Sequence, residues 1–179
     1  MKILILNGSP RPNGNTAAMV QAYAEGASEA GHTVHIVNVC QKKIAGCLAC
    51  EYCHTKGAGK CIQQDDMQEV YPLLEGYIDG VEGNGPLLEE AEMIVLASPI
   101  YYHSFSGQLQ CAINRIYALD KPKKLRKAAL ILSSGSDLVY SGAIFEYQNS
   151  FLQYLHLEDC GMFAAHGEEN QSPELLERL

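Results

Sequence analysis

The first forty residues constrain the fold most strongly, because they place a polar loop between an apolar strand and a helix. Residues 2–6 form a nearly continuous apolar run, which is typical of a strand buried on both faces of a parallel sheet. Residues 15–30 favour a helix that Gly31 is suited to end, and residues 33–39 form a second strand-like run. This order predicts a βαβ unit with a right-handed crossover.

The rest of the chain continues the same alternation. Further strands are predicted at residues 93–97, 127–132 and 160–165. Further helices are predicted at residues 67 to about 74 (with Asp65 or Asp66 as N-cap), at 87–92, from Ser104 or Ser106 to about 119, at 142–156, and from Pro173 onward. Together they predict an α/β fold, a doubly wound five-stranded parallel sheet in the order 2-1-3-4-5. Ligands bind such sheets outside the carboxyl ends of strands 1 and 3, where the strand order reverses.

Length and composition indicate one globular domain over residues 1–179. The 47% hydrophobic and 19% charged residues are ordinary for a folded protein, and the net charge of −8 argues against nucleic-acid binding. No run of about 18 apolar residues predicts a membrane span, and the N-terminus lacks the features of a signal peptide, so we expect a cytoplasmic protein. Two segments interrupt the alternation: a Cys-rich loop over residues 40–66, and an inserted Gly-rich loop or hairpin over about residues 76–86.

The loop between the first strand and the first helix is suited to bind a phosphate. Free backbone N–H groups and the positive end of the helix dipole meet there. The candidate ligands are Ser9, Arg11, Gly14, Asn15 and Thr16. Because Gly14 is followed by Asn15 and not by Lys, the loop is not a Walker A loop. It also lacks the Gly-x-Gly-x-x-Gly pattern of a dinucleotide-binding turn, and a terminal monophosphate suits it better. The alternative is a well-capped turn that binds nothing.

Two further loops are expected at the same edge of the sheet. Residues 98–108 place apolar and aromatic groups beside backbone N–H groups, which suits a flat heteroaromatic ring. The candidate ring-binding residues in this second loop are Pro99, Ile100, Tyr101 and Tyr102. The third loop, residues 133–140 with Gly135, is expected to flank the same ring. The alternative for both tyrosines is that they only cover the end of the sheet.

Four of the seven cysteines lie close together in the Cys-rich loop, at Cys47, Cys50, Cys53 and Cys61. A compact C-x2-C-x2-C spacing is typical of loops that supply three ligands to a [4Fe–4S] cluster. A zinc site is a second interpretation, although structural zinc usually takes two separated Cys pairs. The third interpretation is a set of reduced thiols, or a redox-active pair, without metal. The other three cysteines are expected to be buried thiols.

The three loops together carry a family resemblance. Residues 8–16, the Cys-rich loop with its Asp65-Asp66-Met67 ending, and residues 98–115 resemble the NADPH-dependent FMN reductase family of flavodoxin-like proteins, and especially its iron–sulfur flavoprotein branch. The resemblance covers roughly residues 1–135. It implies that FMN binds non-covalently, with its phosphate on the first loop and its isoalloxazine ring on the second. It also implies a homodimer or homotetramer in which a neighbouring subunit closes the flavin site.

The resemblance also implies an activity, that of an NAD(P)H-dependent FMN oxidoreductase. Electrons would pass from a nicotinamide cofactor through FMN to a quinone, a flavin or another small acceptor. Because this chemistry belongs to the flavin, we predict no catalytic side chain. One alternative is an iron–sulfur flavoprotein electron carrier that relays electrons between a ferredoxin-like donor and FMN. Another is a sensor or binding domain without redox turnover.

Overall fold

A computed structural model describes residues 1–75 and 90–179. Within them, one sheet contains five parallel strands: β1 (Lys2–Asn7), β2 (Thr33–Asn38), β3 (Met93–Pro99), β4 (Lys127–Ser134) and β5 (Glu158–His166). The strand order is β2-β1-β3-β4-β5, and all four pairings are parallel. The doubly wound sheet and the order 2-1-3-4-5 predicted from the sequence are therefore confirmed.

The α-helices of the described residues are α1 (Asn15–Glu29), α2 (Tyr71–Glu75), α3 (Gly107–Ile116), α4 (Ser141–Glu146) and α5 (Pro173–Leu176). The helix predicted over residues 142–156 begins as α4 and continues as a π-helix over Tyr147–Tyr154. The short helix predicted over 87–92 is wrong at residues 90–92, which are not helical. Residues 87–89 and the predicted insert at 76–86 lie outside the described residues. In the part of the chain that is described, no helix is long and apolar enough to cross a membrane.

The sheet is covered on both faces, and this explains the apolar runs in its central strands. Successive side chains of a strand point to opposite faces. In β1, Leu4 and Leu6 pack into the core shared with α2, α3 and α4, whereas Ile3 and Ile5 pack into the core shared with α1 and α5. All four side chains are at most 2% exposed. Edge strand β2 is more exposed, with an alternating pattern.

Local caps set where several elements begin and end. Gly31 has φ +81° and donates its N–H to the carbonyl of Ser28 at 2.9 Å, so the predicted glycine ends α1 in the left-handed conformation. Ser106, rather than Ser104, caps α3. Asp65, rather than Asp66, accepts from the N–H of Met67 and caps the 3₁₀ helix Asp66–Glu69 that precedes α2. The sequence had left both of these caps open between two residues.

Candidate functional site

A cavity of about 490 Å³ lies at the carboxyl ends of β1, β3 and β4. The loops that follow these three strands line it, as the strand order predicts. Nine of the ten residues predicted to bind a cofactor are among its lining residues: Ser9, Arg11, Gly14, Asn15, Thr16, Pro99, Ile100, Tyr101 and Gly135. The fold therefore brings the three predicted loops together around one cavity.

The N-terminus of α1 forms one end of this cavity. Gly14 is the N-cap residue, and no side chain caps the helix. The carbonyl of Gly14 accepts from the N–H of Ala18 at 3.0 Å, which is the first bond of the helix. The backbone N–H groups of Asn15, Thr16 and Ala17 precede that bond and therefore have no acceptor within the helix. Three free donors at the positive end of a 15-residue helix make a suitable site for an anion.

Side chains of the first loop extend this anion site. The guanidinium of Arg11 is exposed, and it has no hydrogen-bond or ion-pair partner within residues 1–75 and 90–179. Ser9 is buried, and its Oγ lies 3.3 Å from the backbone nitrogen of Arg11, which donates to it. Thr16 Oγ1 lies 2.6 Å from Ser133 Oγ, in a buried hydrogen bond. This last contact ties the first loop to the end of β4, so the two walls of the cavity are held together.

The opposite wall comes from the second loop. Ile100 donates its N–H to the carbonyl of Ser133 at 2.9 Å, which continues the pairing of β3 with β4 beyond the sheet. The chain then turns back, with reciprocal backbone hydrogen bonds of 3.1 and 3.0 Å between Tyr101 and Ser104. Tyr101 lines the cavity while remaining 49% exposed. An apolar, half-open wall of this kind suits one face or edge of a planar ring.

Tyr102 does not line the cavity. It lies at the tip of the same turn with φ +48°, and its side chain is fully exposed to solvent. The next residue, His103, also has a positive φ of +68°. A ring-binding role for Tyr102 stays a prediction.

The segment after β5 forms a wall that the sequence analysis missed. Gly167 and Asn170 line the cavity from the 3₁₀ helix Gly167–Gln171. The family resemblance extends only to about residue 135, and it implies no role for this segment. The strand order contained the missing signal, because β5 is also parallel and its carboxyl end must lie at the same edge.

The four closely spaced cysteines of the Cys-rich loop line another, smaller pocket. Its lining residues include Cys47, Cys50, Cys53 and Cys61. Cys47 and Cys50 are exposed and Cys53 is buried, and burial raises the pKa of the Cys53 thiol. Within the described residues, no three His, Cys, Asp or Glu side chains are close enough to hold a metal ion. The remaining cysteines are only partly buried, which corrects the expectation of buried thiols: Cys40, Cys111 and Cys160.

A buried cation lies against the cysteine pocket. Arg115 is 1% exposed and lines the pocket, and its Nη1 donates to Asp65 Oδ2 at 2.6 Å and to the carbonyl of Ala45 at 3.1 Å. Burial alone would raise the pKa of Asp65, but hydrogen bonds from Arg115 and from backbone N–H groups, together with the charge of Arg115, lower it overall. The buried Nε of Arg115 has no partner among the described residues. The four thiols could ligate a metal group, and the guanidinium of Arg115 could stabilise its negative charge. The pocket therefore suits an anionic, thiolate-ligated group.

Comparison with known sequences decides the family. The sequence model of the NADPH-dependent FMN reductase family matches residues 1–158. The chain belongs to this family. The resemblance identified from its loops is therefore confirmed, and the match extends beyond the part of the chain on which that resemblance rested.

Curated relatives of this FMN reductase-family protein carry the name iron–sulfur flavoprotein. One, from Archaeoglobus fulgidus, is 32% identical over 142 residues, which cover 79% of this chain and 56% of the relative. Another, from Methanocaldococcus jannaschii, is 34% identical over 140 residues, which cover 76% of this chain and 63% of the relative. The aligned part thus spans more than half, but less than two thirds, of the length of each of these relatives.

Solved structures share the fold over nearly the whole chain. An NAD(P)H:quinone oxidoreductase from Methanothermobacter marburgensis has a TM-score of 0.66 at 17% identity, covering 99% of this chain and 89% of the other. An FMN-dependent NADH-azoreductase from Bacillus anthracis, in complex with FMN, has a TM-score of 0.61 at 15% identity, covering 99% and 92%. At these identities the likeness establishes the flavodoxin-like fold alone.

Proposed function

We propose that this protein binds FMN in the strand-end cavity and passes electrons from NADH or NADPH through it to a small acceptor, such as a quinone or a flavin. One observation carries the proposal: the lining of the cavity combines two chemistries. The N-terminus of α1 and Arg11, whose guanidinium has no partner among the described residues, supply donors for an anion, and Pro99, Ile100 and Tyr101 supply an apolar wall. FMN combines a phosphate with a flat ring and so matches both.

In this proposal the protein binds and orients, and no side chain acts as an acid or a base. Bound FMN supplies the chemistry, which is acceptance of a hydride and release of one or two electrons. The N–H groups of Asn15 and Thr16 and the guanidinium of Arg11 bind the phosphate. The hydrogen bond between Thr16 and Ser133 holds two walls of the cavity at a fixed distance. Tyr101, which lines the cavity and is half exposed, would contact the ring from a side that stays open to a second substrate.

The phosphate assignment is tested by replacing Arg11 and comparing two ligands. Arg11→Ala removes one charge-assisted hydrogen bond, and because the side chain is exposed we expect about a tenfold loss of FMN affinity, at the low end for such bonds. Affinity for riboflavin, which lacks the phosphate, should not change. Lys123→Ala is the matched control, since it removes an exposed cation from the loop before β4, at the opposite edge of the sheet. Both affinities are measured by quenching of flavin fluorescence.

Two outcomes of that titration would contradict the assignment. The first is an unchanged affinity of Arg11→Ala for FMN. The second is an equal loss for FMN and riboflavin, which would place Arg11 away from the phosphate. If the wild-type protein binds neither ligand, the proposed cofactor itself is wrong.

The electron donor is tested under anaerobic conditions with the FMN-loaded protein. Rapid loss of the flavin absorbance on addition of NADPH or NADH supports the oxidoreductase, and the faster of the two identifies the donor. If neither nucleotide bleaches the flavin and a reduced ferredoxin does, the protein is an electron carrier. Quinone and azo dye are then offered to the reduced protein, because the similar structures carry these two names.

A second candidate function is favoured by the cysteine pocket. We propose that Cys47, Cys50, Cys53 and Cys61 ligate a [4Fe–4S] cluster that exchanges electrons with FMN, with a ferredoxin-like protein as donor. The four thiols line one pocket beside the unpaired Nε–H of Arg115, and relatives of about 30% identity carry the name iron–sulfur flavoprotein. In the described residues, no three of these thiols are close enough together to bind one metal group. Ligation of a cluster therefore requires the Cys-rich loop to bring them closer.

Iron and acid-labile sulfide analysis of anaerobically purified protein tests this second function. Four of each per chain, with visible absorbance that survives removal of the flavin, support the cluster. Cys53→Ser, which removes the buried thiol, should abolish that absorbance, whereas Cys160→Ser, outside the pocket, should leave it unchanged. Protein that contains no iron after anaerobic purification and reconstitution would rule the cluster out.

The homodimer or homotetramer stays a prediction, which light scattering on the FMN-loaded protein tests.

A further inference from the structure

The charges of this acidic chain are distributed unevenly between two short segments and the rest. Residues 47–61 and 117–127 contain seven of the thirteen Lys and Arg residues but only two of the twenty-one Asp and Glu residues, Glu51 and Asp120. The two segments therefore have a net charge of +5, whereas the rest of the chain, with 6 cations and 19 acids, has −13. A positive patch on a chain of net charge −8 indicates a surface that attracts a negatively charged molecule.

The two segments meet at the cysteine pocket. Tyr117 Oη donates to Glu51 Oε1 at 3.1 Å, and both residues line the pocket. The carbonyl oxygen of Tyr117 lies 2.9 Å from Nε2 of His54. Lys56 lies two residues after this histidine, and Lys121 lies four residues after the tyrosine. A chain of four residues spans at most about 14 Å, so both lysines lie close to the pocket.

Four of the seven cations carry a charge that no described acid neutralises. Two of the others form ion pairs, Lys124 with Glu90 at 3.1 Å and Lys127 with Glu158 at 3.3 Å. Four are exposed and have no ion-pair partner within residues 1–75 and 90–179, and we call them the basic rim: Lys56, Lys121, Lys123 and Arg126. Buried apolar residues alternate with the charged ones in the second segment, so its cations are turned to the solvent.

Exposed apolar side chains lie in the pocket itself. Leu48 is 65% exposed, Ile62 is 50% exposed and Tyr117 is 48% exposed, and all three line the pocket. An apolar centre with a polar periphery is the usual arrangement of a protein–protein interface. A nucleic acid would need cations across the whole contact and would be repelled by the acidic remainder of the chain. The surface therefore fits a protein that presents carboxylates around an apolar centre of its own.

We infer that the cysteine pocket and its basic rim form the docking surface for an acidic electron-transfer protein. That this partner carries electrons rests on the second proposed function, in which the thiols of the pocket hold a redox group. Cys47 and Cys50 are exposed in the pocket, so a docked protein would lie directly over them. Opposite charges on the two surfaces steer the encounter and orient the partner, and salt screens them.

The test measures binding of an acidic bacterial ferredoxin to the anaerobically purified full chain by calorimetry. Lys56→Glu and Lys123→Glu each reverse one charge of the basic rim, and no described hydrogen bond or ion pair of either lysine is lost. Each should weaken binding about tenfold at an ionic strength of about 0.01 M, and the difference should vanish near 1 M. Arg178→Glu is the matched control, with the same charge change at an exposed residue after α5, on the opposite face of the sheet. It should bind within about twofold of wild type.

Leu48→Ser tests the apolar centre. It should weaken ferredoxin binding several-fold at both ionic strengths, because it removes contact area and no charge. Leu138→Ser is the control, since Leu138 is 82% exposed in the loop after β4 and does not line the cysteine pocket. Circular dichroism checks that each variant is folded.

Three outcomes would overturn the inference. They are no binding of ferredoxin by the wild-type protein at low ionic strength, equal weakening by Arg178→Glu and Lys123→Glu, and binding of a short DNA duplex through the same lysines in place of ferredoxin. The second proposed function fails separately. A protein that binds ferredoxin through the basic rim but holds no iron after reconstitution keeps the docking surface and loses the cluster.

Discussion

The ion pair between Arg115 and Asp65 attaches the Cys-rich loop to α3. Replacing Asp65 by Asn measures how much this ion pair contributes to the stability of the fold. The side chains are 1% and 17% exposed, respectively, and the two atoms lie 2.6 Å apart. Removing one partner of a buried pair costs about 3–5 kcal/mol, because the other charge is left uncompensated. Two features place the expected loss of stability at the low end of this range, at about 3 kcal/mol. Asn can still accept the N-cap hydrogen bond from the N–H of Met67, and the side chain at position 65 is partly exposed.

This loss converts into a measurable change in melting temperature. Unfolding entropy is about 2.1 cal/mol/K per residue, which for 179 residues is about 0.4 kcal/mol per kelvin. Asp65→Asn should therefore lower the melting temperature of the flavin-free protein by about 8 °C at pH 7, as measured by calorimetry. Asp66→Asn is the matched control. That carboxylate accepts from the N–H of Lys43 and has no ion-pair partner among the described residues, so we expect a change within about 2 °C.

The same pair gives a pH dependence with a defined sign. Because the pKa of Asp65 is lowered in the folded state, its contribution to stability is fully present above the unfolded value, about 3.9. As the pH falls below 4 and through the folded pKa, Asp65 takes up a proton and the contribution is lost. The difference in stability between wild type and Asp65→Asn should therefore be constant from pH 7 to 5 and shrink below pH 4. A loss of less than 2 °C at pH 7, or a difference that grows on acidification, would refute this account of the ion pair.

Three substitutions test other parts of the fold. Gly26→Ala, in the last turn of α1 with nothing within 4 Å of the added Cβ, should raise the free energy of unfolding by about 0.5–1 kcal/mol in denaturant titrations. Gly8→Ala should lower it by about 1–3 kcal/mol in the same titration, because the added Cβ would lie 2.7 Å from Ser106 Oγ and 2.8 Å from Leu109 Cβ. Tyr102→Gly should raise the melting temperature by about 2–4 °C, since it relieves a positive φ at a fully exposed side chain; an unchanged or lower melting temperature would show that the turn at Tyr102 is unstrained.

Much of the fold could be predicted because its signals are local. The apolar runs of β1, β3 and β4 are continuous because these strands are covered on both faces, and Gly31 marks the end of α1 through its left-handed backbone. The helix predicted over residues 142–156 lies within two residues of those bounds, but its type was not predictable. The π-helix over Tyr147–Tyr154 differs from an α-helix in its i→i+5 hydrogen bonds, and no residue pattern in this segment marked that difference.

The candidate site was predictable where it depends on strand order, and not where it depends on side-chain placement. The strand order brings the loops after β1, β3 and β4 to one edge, so nine of ten predicted residues meet in one cavity. Tyr102 and Tyr101 are adjacent aromatic residues with no difference in sequence signal, yet the turn exposes one and aims the other at the cavity. Sequence spacing likewise grouped the four cysteines, but it contained no sign of the buried cation beside them.

By itself, the sequence determined a doubly wound α/β protein, and it predicted a phosphate site in the loop after the first strand, because strand burial and helix N-termini follow from local patterns. It also determined the family, since the sequence model of the FMN reductase family matches residues 1–158. Only the tertiary structure decided which side chains complete the site. Asn170 lies 154 residues after Thr16, and Arg115 lies 50 residues after Asp65. Arg115 and Asp65 form an ion pair, and Thr16 and Asn170 line one cavity. The parallel sheet places these distant segments at the same edge or face, and no local sequence pattern encodes which side chains will be neighbours there.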